Sequence, residues 1–496
     1  MPPIEQQMNR KHKEPLVLWY GKRGELLVID PCHPDGEVKT EDELDGEEEP
    51  QSLEYQFAST TTCHGLARIA ESERKPRRLF WVLVVTMAFS LAAWQISLRF
   101  VNFFSFPTNT DISRVYEMEK KFPAVTICNY NTFLKSKLTD DDYKLLNSAE
   151  ELSHFYDISS SSLKEIMYKD LEKKYPGGGD VGQMISQKGW TLQDGSTLIS
   201  CTFRGKPCDL SSWTHRFTAF GNCYTFNGDS SQKLTQILPG SSNGLTVELD
   251  ILSDEYSTEV PQATRETGAR FLVHPEYEPP YAVWEGLSVS PGTHANAGIK
   301  EKYHTNLGGP WGECDPGMKV SYSKQYTRSA CVMECKRFYI LEECHCKPVY
   351  QLGEGANCTL LQMACAKKVT HSINENFNWY CNCPVPCNFH EYDVQLSYSK
   401  LAGSRETKHQ RKLDESYISK NIVGIGVYYE DLSFDHIQQQ ASIDAGSFLS
   451  DLGGQMGLFV GMSLLTMLEF IEYFMARTYM SFKGFTRGRI SKSTEE

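Results

Sequence analysis

Hydrophobic positions along the chain form two long runs and many short ones. The first long run, Leu79 to Leu98, is twenty residues without a charge, the length that about 30 Å of hydrocarbon asks of a helix rising 1.5 Å per residue. Arg74, Lys75, Arg77 and Arg78 precede it. A secretory signal would be shorter, nearer the start and closed by small residues, so a retained membrane span is expected. The second run, Leu452 to Met475, is as long but carries Glu469 and Glu472, and Arg477, Lys483, Arg487 and Arg489 follow it. Basic residues are retained on the cytosolic side, which predicts both termini inside. The short runs lie between. SSSLKEIMYKDLEKKY (160–175) has apolar residues at helical spacing behind capping serines. FPAVTIC (122–128), GLTVELDIL (244–252) and IVGIGVYYE (422–430) read as strands. The expected order is a cytosolic arm (1–78), a transmembrane helix (79–101), a mixed α/β extracellular domain (102–441), a second transmembrane helix (442–476) and a cytosolic tail (477–496).

Charge and cysteines narrow this. Against 50 basic residues stand 63 acidic ones, a net −13, which leaves no basic groove for nucleic acid. Seven acids in the nine positions 41–49 would self-repel and keep that stretch disordered. Fourteen of the sixteen cysteines, Cys128 to Cys387, fall in the stretch expected outside, an even number as full disulfide pairing requires. Cys32 and Cys63 fall in the arm. Within the block from Cys314, Cys331 and Cys335 are one helical turn apart, and Cys381 and Cys383 share one face of an extended strand. Bridges of Cys314 with Cys387, Cys331 with Cys383 and Cys335 with Cys381 would rivet helix to strand like rungs. Cys344 with Cys365 and Cys346 with Cys358 would close the turn between, leaving Cys201 with Cys208 and Cys128 with Cys223. Spacing alone does not fix this connectivity, and zinc is the rival reading, because Cys344-His345-Cys346 also suits a thiolate site. Asn357-Cys358-Thr359 is a lone glycosylation sequon. The chain has no His-Glu-x-x-His helix and no phosphate-cradling glycine loop. His274, His294 and His304 are scattered, so no enzyme, cofactor or metal site is expected.

A helix that only anchors has no use for Gly453, Gly454, Gly457 and Gly461, or for Asp451, Glu469 and Glu472, in or beside it. Five turns separate Asp451 from Glu469, so on a continuous helix they would share one face about 27 Å apart. In a symmetric oligomer they would form carboxylate rings at the ends of a cation path. The alternative is a small-residue packing seam through Gly457 and Gly461, with the acids in headgroup water.

LGGQMGLFVGMSLLTMLEFIEY (452–473) resembles the pore helix of the degenerin, epithelial sodium channel and acid-sensing ion channel superfamily. The likeness runs from about residue 59 to 476. It takes in Cys63-His64-Gly65, similar to the family's cytosolic His-Gly motif, FPAVTICN (122–129), CTFRGKPC (201–208) leading to FGNCYTFN (220–227), and WGEC (311–314). The acid-sensing and bile-acid-sensitive branch is the one it most resembles. The resemblance implies a homotrimer or a heterotrimer with related subunits. It implies a chalice-shaped, disulfide-rich ectodomain of finger, thumb (about 314–387) and palm-like sheet, and a pore admitting sodium ions that amiloride-like molecules block. It puts Gly461, Met462 and Ser463 on the selectivity belt, where carbonyls replace part of an ion's hydration shell. Asp451, Gly453, Gly454 and Gly457 fall in the outer pore and blocker region, and Glu469, Glu472, His64 and Gly65 at the inner pore. Trp311 falls where thumb and first span are coupled. Met462 stands where a small residue is usual, and its bulk would widen the belt.

For gating, the resemblance puts Asp254 and Glu255 on one side of a proton- or cation-sensing pocket. Lys367, Lys368 and His371 stand on the thumb side where proton-gated relatives place aspartates, and an ammonium beside a carboxylate lowers its pKa. Thr108 stands where those relatives carry a histidine. The expectation is an amiloride-sensitive, sodium-preferring cation channel of the plasma membrane, gated or modulated through its ectodomain. A proton-activated, peptide- or bile-acid-activated or constitutively open channel is the alternative, and a membrane-tethered receptor a more remote one. An ATP-gated receptor would share the two spans but should show a lysine-rich nucleotide site and no Gly-x-Ser belt.

Overall fold

Alternating and near-continuous apolar runs build two large sheets in the larger of the two units into which the chain divides, Ser105–Ile443. The other unit joins the chain's ends, Met1–Phe104 with Asp444–Glu496. This computed structural model describes residues 17–20, 26–29 and 52–492, apart from 159–160, 229–233, 258, 261–264, 281–285, 324, 402 and 408–410. The acidic run 41–49 and Cys32 lie outside the described residues.

The larger unit's main strands are β1 (Thr108–Tyr116), β2 (Ala124–Asn129), β3 (Leu198–Phe203), β4 (Lys206–Pro207), β5 (Trp213–Thr218), β6 (Gly221–Phe226), β7 (Leu245–Asp250), β8 (Ala269–His274), β9 (Leu287–Val289), β10 (Thr293–Thr305), β11 (Asn388–Lys400) and β12 (Ile422–Ala441). One sheet runs β11-β10-β12-β7-β3-β4, with β1 added along the second half of β12; the other runs β9-β8-β2-β6-β5. The run IVGIGVYYE becomes the first half of β12, parallel to β10 and antiparallel to β7. Enclosure on both sides suits its content: Ile422, Val423, Ile425, Val427 and Tyr429 are all fully buried. Its glycines have a local cause. A Cβ on Gly424 would lie 2.3 Å from Nδ1 of His294, whose ring covers that stretch of backbone.

One buried charge cluster sits beside this core. The ammonium of Lys120, almost wholly buried, pairs with Glu301 at 2.9 Å, donates to the Ser433 carbonyl at 2.7 Å and lies over the Tyr429 ring. Glu301 also meets His390 at 2.5 Å. Burial alone would raise the Glu301 carboxyl, but the His390 hydrogen bond and the Lys120 charge outweigh it and hold the group below the usual range.

Ser161–Lys174 is helical as its pattern predicts. The cysteine block is two helices and a returning segment. Arg328–Cys344 is capped by Thr327, whose side chain accepts from the Ala330 N–H, and ends at His345 in the left-handed region; Met363–Glu375 follows. Seven disulfides are present among the described residues: Cys128–Cys223, Cys201–Cys208, Cys314–Cys387, Cys331–Cys383, Cys335–Cys381, Cys344–Cys365 and Cys346–Cys358. These are the rungs named from the spacing, and they leave no thiolate in the block for zinc. The stretch with Cys381 and Cys383, however, joins no sheet. Pro384 and Pro386 follow, and proline brings no N–H to a ladder.

The smaller unit is helical over its described residues from Leu53 onward: Leu53–Thr60, Leu66–Ala70, Lys75–Phe104, Ala445–Val460 and Leu464–Lys492. Lys75–Phe104 has 30 residues and is long and apolar enough to cross a membrane. The second apolar run is not the continuous helix that composition suggests. It breaks at Gly461-Met462-Ser463 and bends there by 75°.

Candidate functional site

Capping chemistry makes the break. Gly461 closes the Ala445–Val460 helix in the left-handed region (φ 65°), its N–H donating to the Gly457 carbonyl at 3.0 Å, and the Met462 N–H reaches the Met456 carbonyl at 3.3 Å. This is the usual glycine termination of a helix. Ser463 then opens the next helix as its N-cap. Its Oγ accepts from the Thr466 N–H at 3.3 Å, and its own N–H donates to Thr466 Oγ1 at 3.1 Å. In a run this apolar, open backbone is tolerated only where protein or a water-filled path surrounds it.

The residues Thr61–Gly65, from the other end of the chain, pack against that break. The His64 N–H donates to the Val460 carbonyl at 3.0 Å, and the His64 ring fills the space beside Gly461, where a Cβ would lie 2.0 Å from Nδ1. Gly461 is therefore required by its backbone and by its neighbour. Gly65, at φ 90°, is held equally closely, since a Cβ there would meet Val85 at 2.5 Å. Cys63, the free cysteine among the described residues, is buried with Ala92 and Val460, and Met462 packs against this cluster.

A chain of hydroxyls completes the joint. Glu469 Oε2 accepts from Thr61 Oγ1 and from the Thr62 N–H, both at 2.9 Å. Thr62 Oγ1 lies 2.6 Å from Thr466 Oγ1, and fully buried Thr466 holds Ser463. The expectation that Asp451 and Glu469 share one straight face is thus corrected. The break separates them, and each carboxylate has a partner in its own chain, because Asp451 meets Arg99 at 3.5 Å. Glu472 and Glu469 border a cavity of about 340 Å³ with Phe57 and Tyr473. A Cβ on Gly453 or Gly454 would meet nothing within 4 Å, and on Gly457 only the Met462 carbonyl at 4.0 Å. Sequence reasoning missed Thr61, Thr62, Thr466 and Arg99; the threonine run beside Cys63-His64-Gly65 was the available signal.

The family model described as amiloride-sensitive sodium channel matches residues 57–473. The chain belongs to this family. Among its relatives, the human bile acid-sensitive ion channel is 32% identical, covering 87% of each chain. The human acid-sensing ion channel 2 is 33% identical over 86% of this chain and 87% of that one. The zebrafish (Danio rerio) acid-sensing ion channel 1A is 31% identical over 86% and 88%. Members of the amiloride-sensitive sodium channel family are ion channels and not enzymes.

The family's remaining candidate residues lie in the larger unit. Trp311 is half-buried, its ring meeting the edge of Phe106 at 5.5 Å. Its loop is tied down at both flanks. The Asn306 N–H donates to the Cys387 carbonyl at 2.7 Å, the Leu307 N–H reaches Gln439 at 3.2 Å, and Cys314 is bonded to Cys387. Asp254 and Glu255 form a single 3₁₀ turn after β7. Glu255 accepts from the Ser136 N–H at 2.9 Å. Lys367 pairs with Glu150 at 2.7 Å and His371 with Glu375 at 3.3 Å. Among the described residues, no ion pair joins either set to the other. Asn357 is exposed, its Oδ1 accepting from the Lys347 ammonium at 3.1 Å.

Proposed function

We propose that three copies of this chain, or this chain with related subunits, form a sodium-preferring cation channel of the plasma membrane that amiloride-like molecules block. Both termini are cytosolic, Lys75–Phe104 is the first span and the bent pair the second. The observation that carries this reading is the break at Gly461–Ser463, capped on both sides and braced from below by Thr61–Gly65. Three such breaks around an axis would present backbone carbonyls and the Ser463 hydroxyl to a partly dehydrated ion. His64, Gly65 and Glu469 brace the inner pore, with Glu472 beside them. Gly453 and Gly454 leave open backbone at the outer pore for a blocker, with Gly457 nearer the belt and Asp451 held by Arg99 at the mouth.

Opening is driven through the ectodomain, with Trp311 against Phe106 as the coupling contact. The relatives named for acid and bile acid offer two stimuli. The Lys367–Glu150 pair argues against carboxylate crowding at that site. Asp254 and Glu255 accordingly modulate and do not by themselves trigger.

The test is whole-cell current from cells expressing the chain alone, with external pH stepped from neutral to acid, Na⁺ exchanged for K⁺, and amiloride present or absent. An amiloride-sensitive current reversing near the sodium potential supports the reading. Equal permeability to both ions, or no block, removes the corresponding part of it. A large current on acidification alone would restore protons as the trigger.

A further inference from the structure

A cavity of about 380 Å³ lies between the β9-β8-β2-β6-β5 sheet and the disulfide-braced Arg328–Cys344 helix, within the size range of small-molecule sites. No residue assigned above to the ion path or to gating lines it. Four aromatic rings stand in its walls, Phe217 from β5, Tyr277 just beyond β8, Tyr322 ahead of the helix and Tyr350 after it, with Arg216 and His274 beside them. Tyr322 is fixed by donating to the Ala330 carbonyl at 2.6 Å. Glu276 supplies a carboxylate whose two oxygens differ. One is engaged by the Lys121 ammonium, while the other has almost no accessible surface and no hydrogen-bond donor from the described protein, so an occupant reaches it through a turn of the carboxylate. A buried acceptor left unfilled is costly, and aromatic faces attract cations.

We propose that this cavity binds a small organic cation of the arylalkyl-ammonium class, its ring among Tyr277, Tyr322 and Tyr350 and its ammonium turned to Glu276. An anion would meet Arg216 but also Glu276 and Glu278, which outnumber it. A neutral aromatic would fill the space but leave the carboxylate oxygen unserved. The walls come from the sheet on one side and from the braced helix on the other. An occupant that fits one separation of these two therefore favours that separation. Any effect on current rests on the channel reading; binding does not.

The full chain in detergent, carrying Leu352→Cys at the exposed rim, reports occupancy through its rate of labelling by a thiol reagent. The probe is 2-(1-naphthyl)ethylammonium, with 2-(1-naphthyl)ethanol as its neutral counterpart. The ammonium should protect at concentrations at least about tenfold lower than the alcohol, as a charge-assisted hydrogen bond requires. Adding Glu276→Gln should bring the two probes level while leaving labelling without probe unchanged. In a separate variant without the reporter thiol, Leu352→Trp should close the rim and abolish the thermal stabilisation that the ammonium gives the unsubstituted protein. Equal protection by both probes, protection by the ammonium undiminished in Glu276→Gln, or stabilisation persisting in Leu352→Trp would each overturn the proposal. A chain that shows this protection but carries no current under any condition refutes the channel and leaves the cavity; a channel without the protection refutes only the cavity.

Discussion

Thr62 does two jobs at the candidate belt, since its N–H holds Glu469 and its hydroxyl holds Thr466, which in turn fixes Ser463. Thr62→Val keeps the shape and the N–H but strips one partner from the buried Thr466 hydroxyl, which keeps Ser463, a loss of about 0.5–1.5 kcal/mol for one hydrogen bond. The expected result is a lower Na⁺ to K⁺ permeability ratio at normal surface expression, with Thr62→Ser close to the parent. Reversal potentials check this, and an unmoved ratio in Thr62→Val would remove Thr62 from the belt. A second residue, in the larger unit, sets a pH dependence. His274 is buried between Thr126, 2.8 Å from Nε2, and the Pro275 carbonyl, 2.9 Å from Nδ1. Burial pushes its pKa down to about 4. The unfolded chain, with histidine near 6.5, takes up the proton first as pH falls, so stability is lost between about pH 6.5 and 4. The difference corresponds to about 3 kcal/mol. Thermal unfolding of His274→Gln between pH 7 and 4.5 should show a shallower fall than the parent, and parallel slopes would exclude this histidine.

Nested rungs make the disulfides interdependent. With Cys335–Cys381 intact, Cys331–Cys383 closes a loop of only about eight residues, although the cysteines themselves stand 52 apart in sequence. In the chain-entropy account either rung alone is then worth about 2.5 kcal/mol, and removing both costs about 6 kcal/mol, because the second loss frees a much longer loop. Serine pairs at one rung, the other and both, compared by thermal unfolding, check this; a double variant no worse than the sum of the singles would contradict nesting. Cysteines at i, i+4 on one element and i, i+2 on another made these rungs legible as candidates, although spacing did not fix their connectivity. Legible too were the strand runs, whose β-branched content and burial agree. The break in the second apolar run was not, because Met456 to Leu468 holds no charge and no proline and only cap chemistry at Gly461 and Ser463 marks it. The partners of Asp451 and Glu469 were hidden for another reason: Arg99 and Thr61 come from the opposite end of the chain, and no local spacing connects them.

At the scale of the whole molecule, the question is what covers the apolar surface that one copy leaves open. On Lys75–Phe104, Leu79, Leu83, Trp94 and Leu98 are exposed, and lipid can cover them. Lipid cannot serve β1, which the proposed topology puts in water. All nine of its residues are exposed, among the described residues it pairs only with β12, and Ile112 and Tyr116 are 65% and 74% open, with Met118 beyond them at 95%. Apolar groups gathered on a strand with one free edge mark a surface that another chain covers. In the proposed trimer that chain is another copy. Ile112→Asp should then leave the isolated chain as stable as before, since the position is open, yet place an unpaired carboxylate in each interface. At about 3 kcal/mol per buried charge, association weakens roughly a hundredfold per contact. Cross-linking of the detergent-solubilised full chain should show trimers giving way to single copies, and current should fall with them. If trimers persist in Ile112→Asp combined with Tyr116→Asp, β1 faces solvent in the assembly and the copies meet through other surfaces.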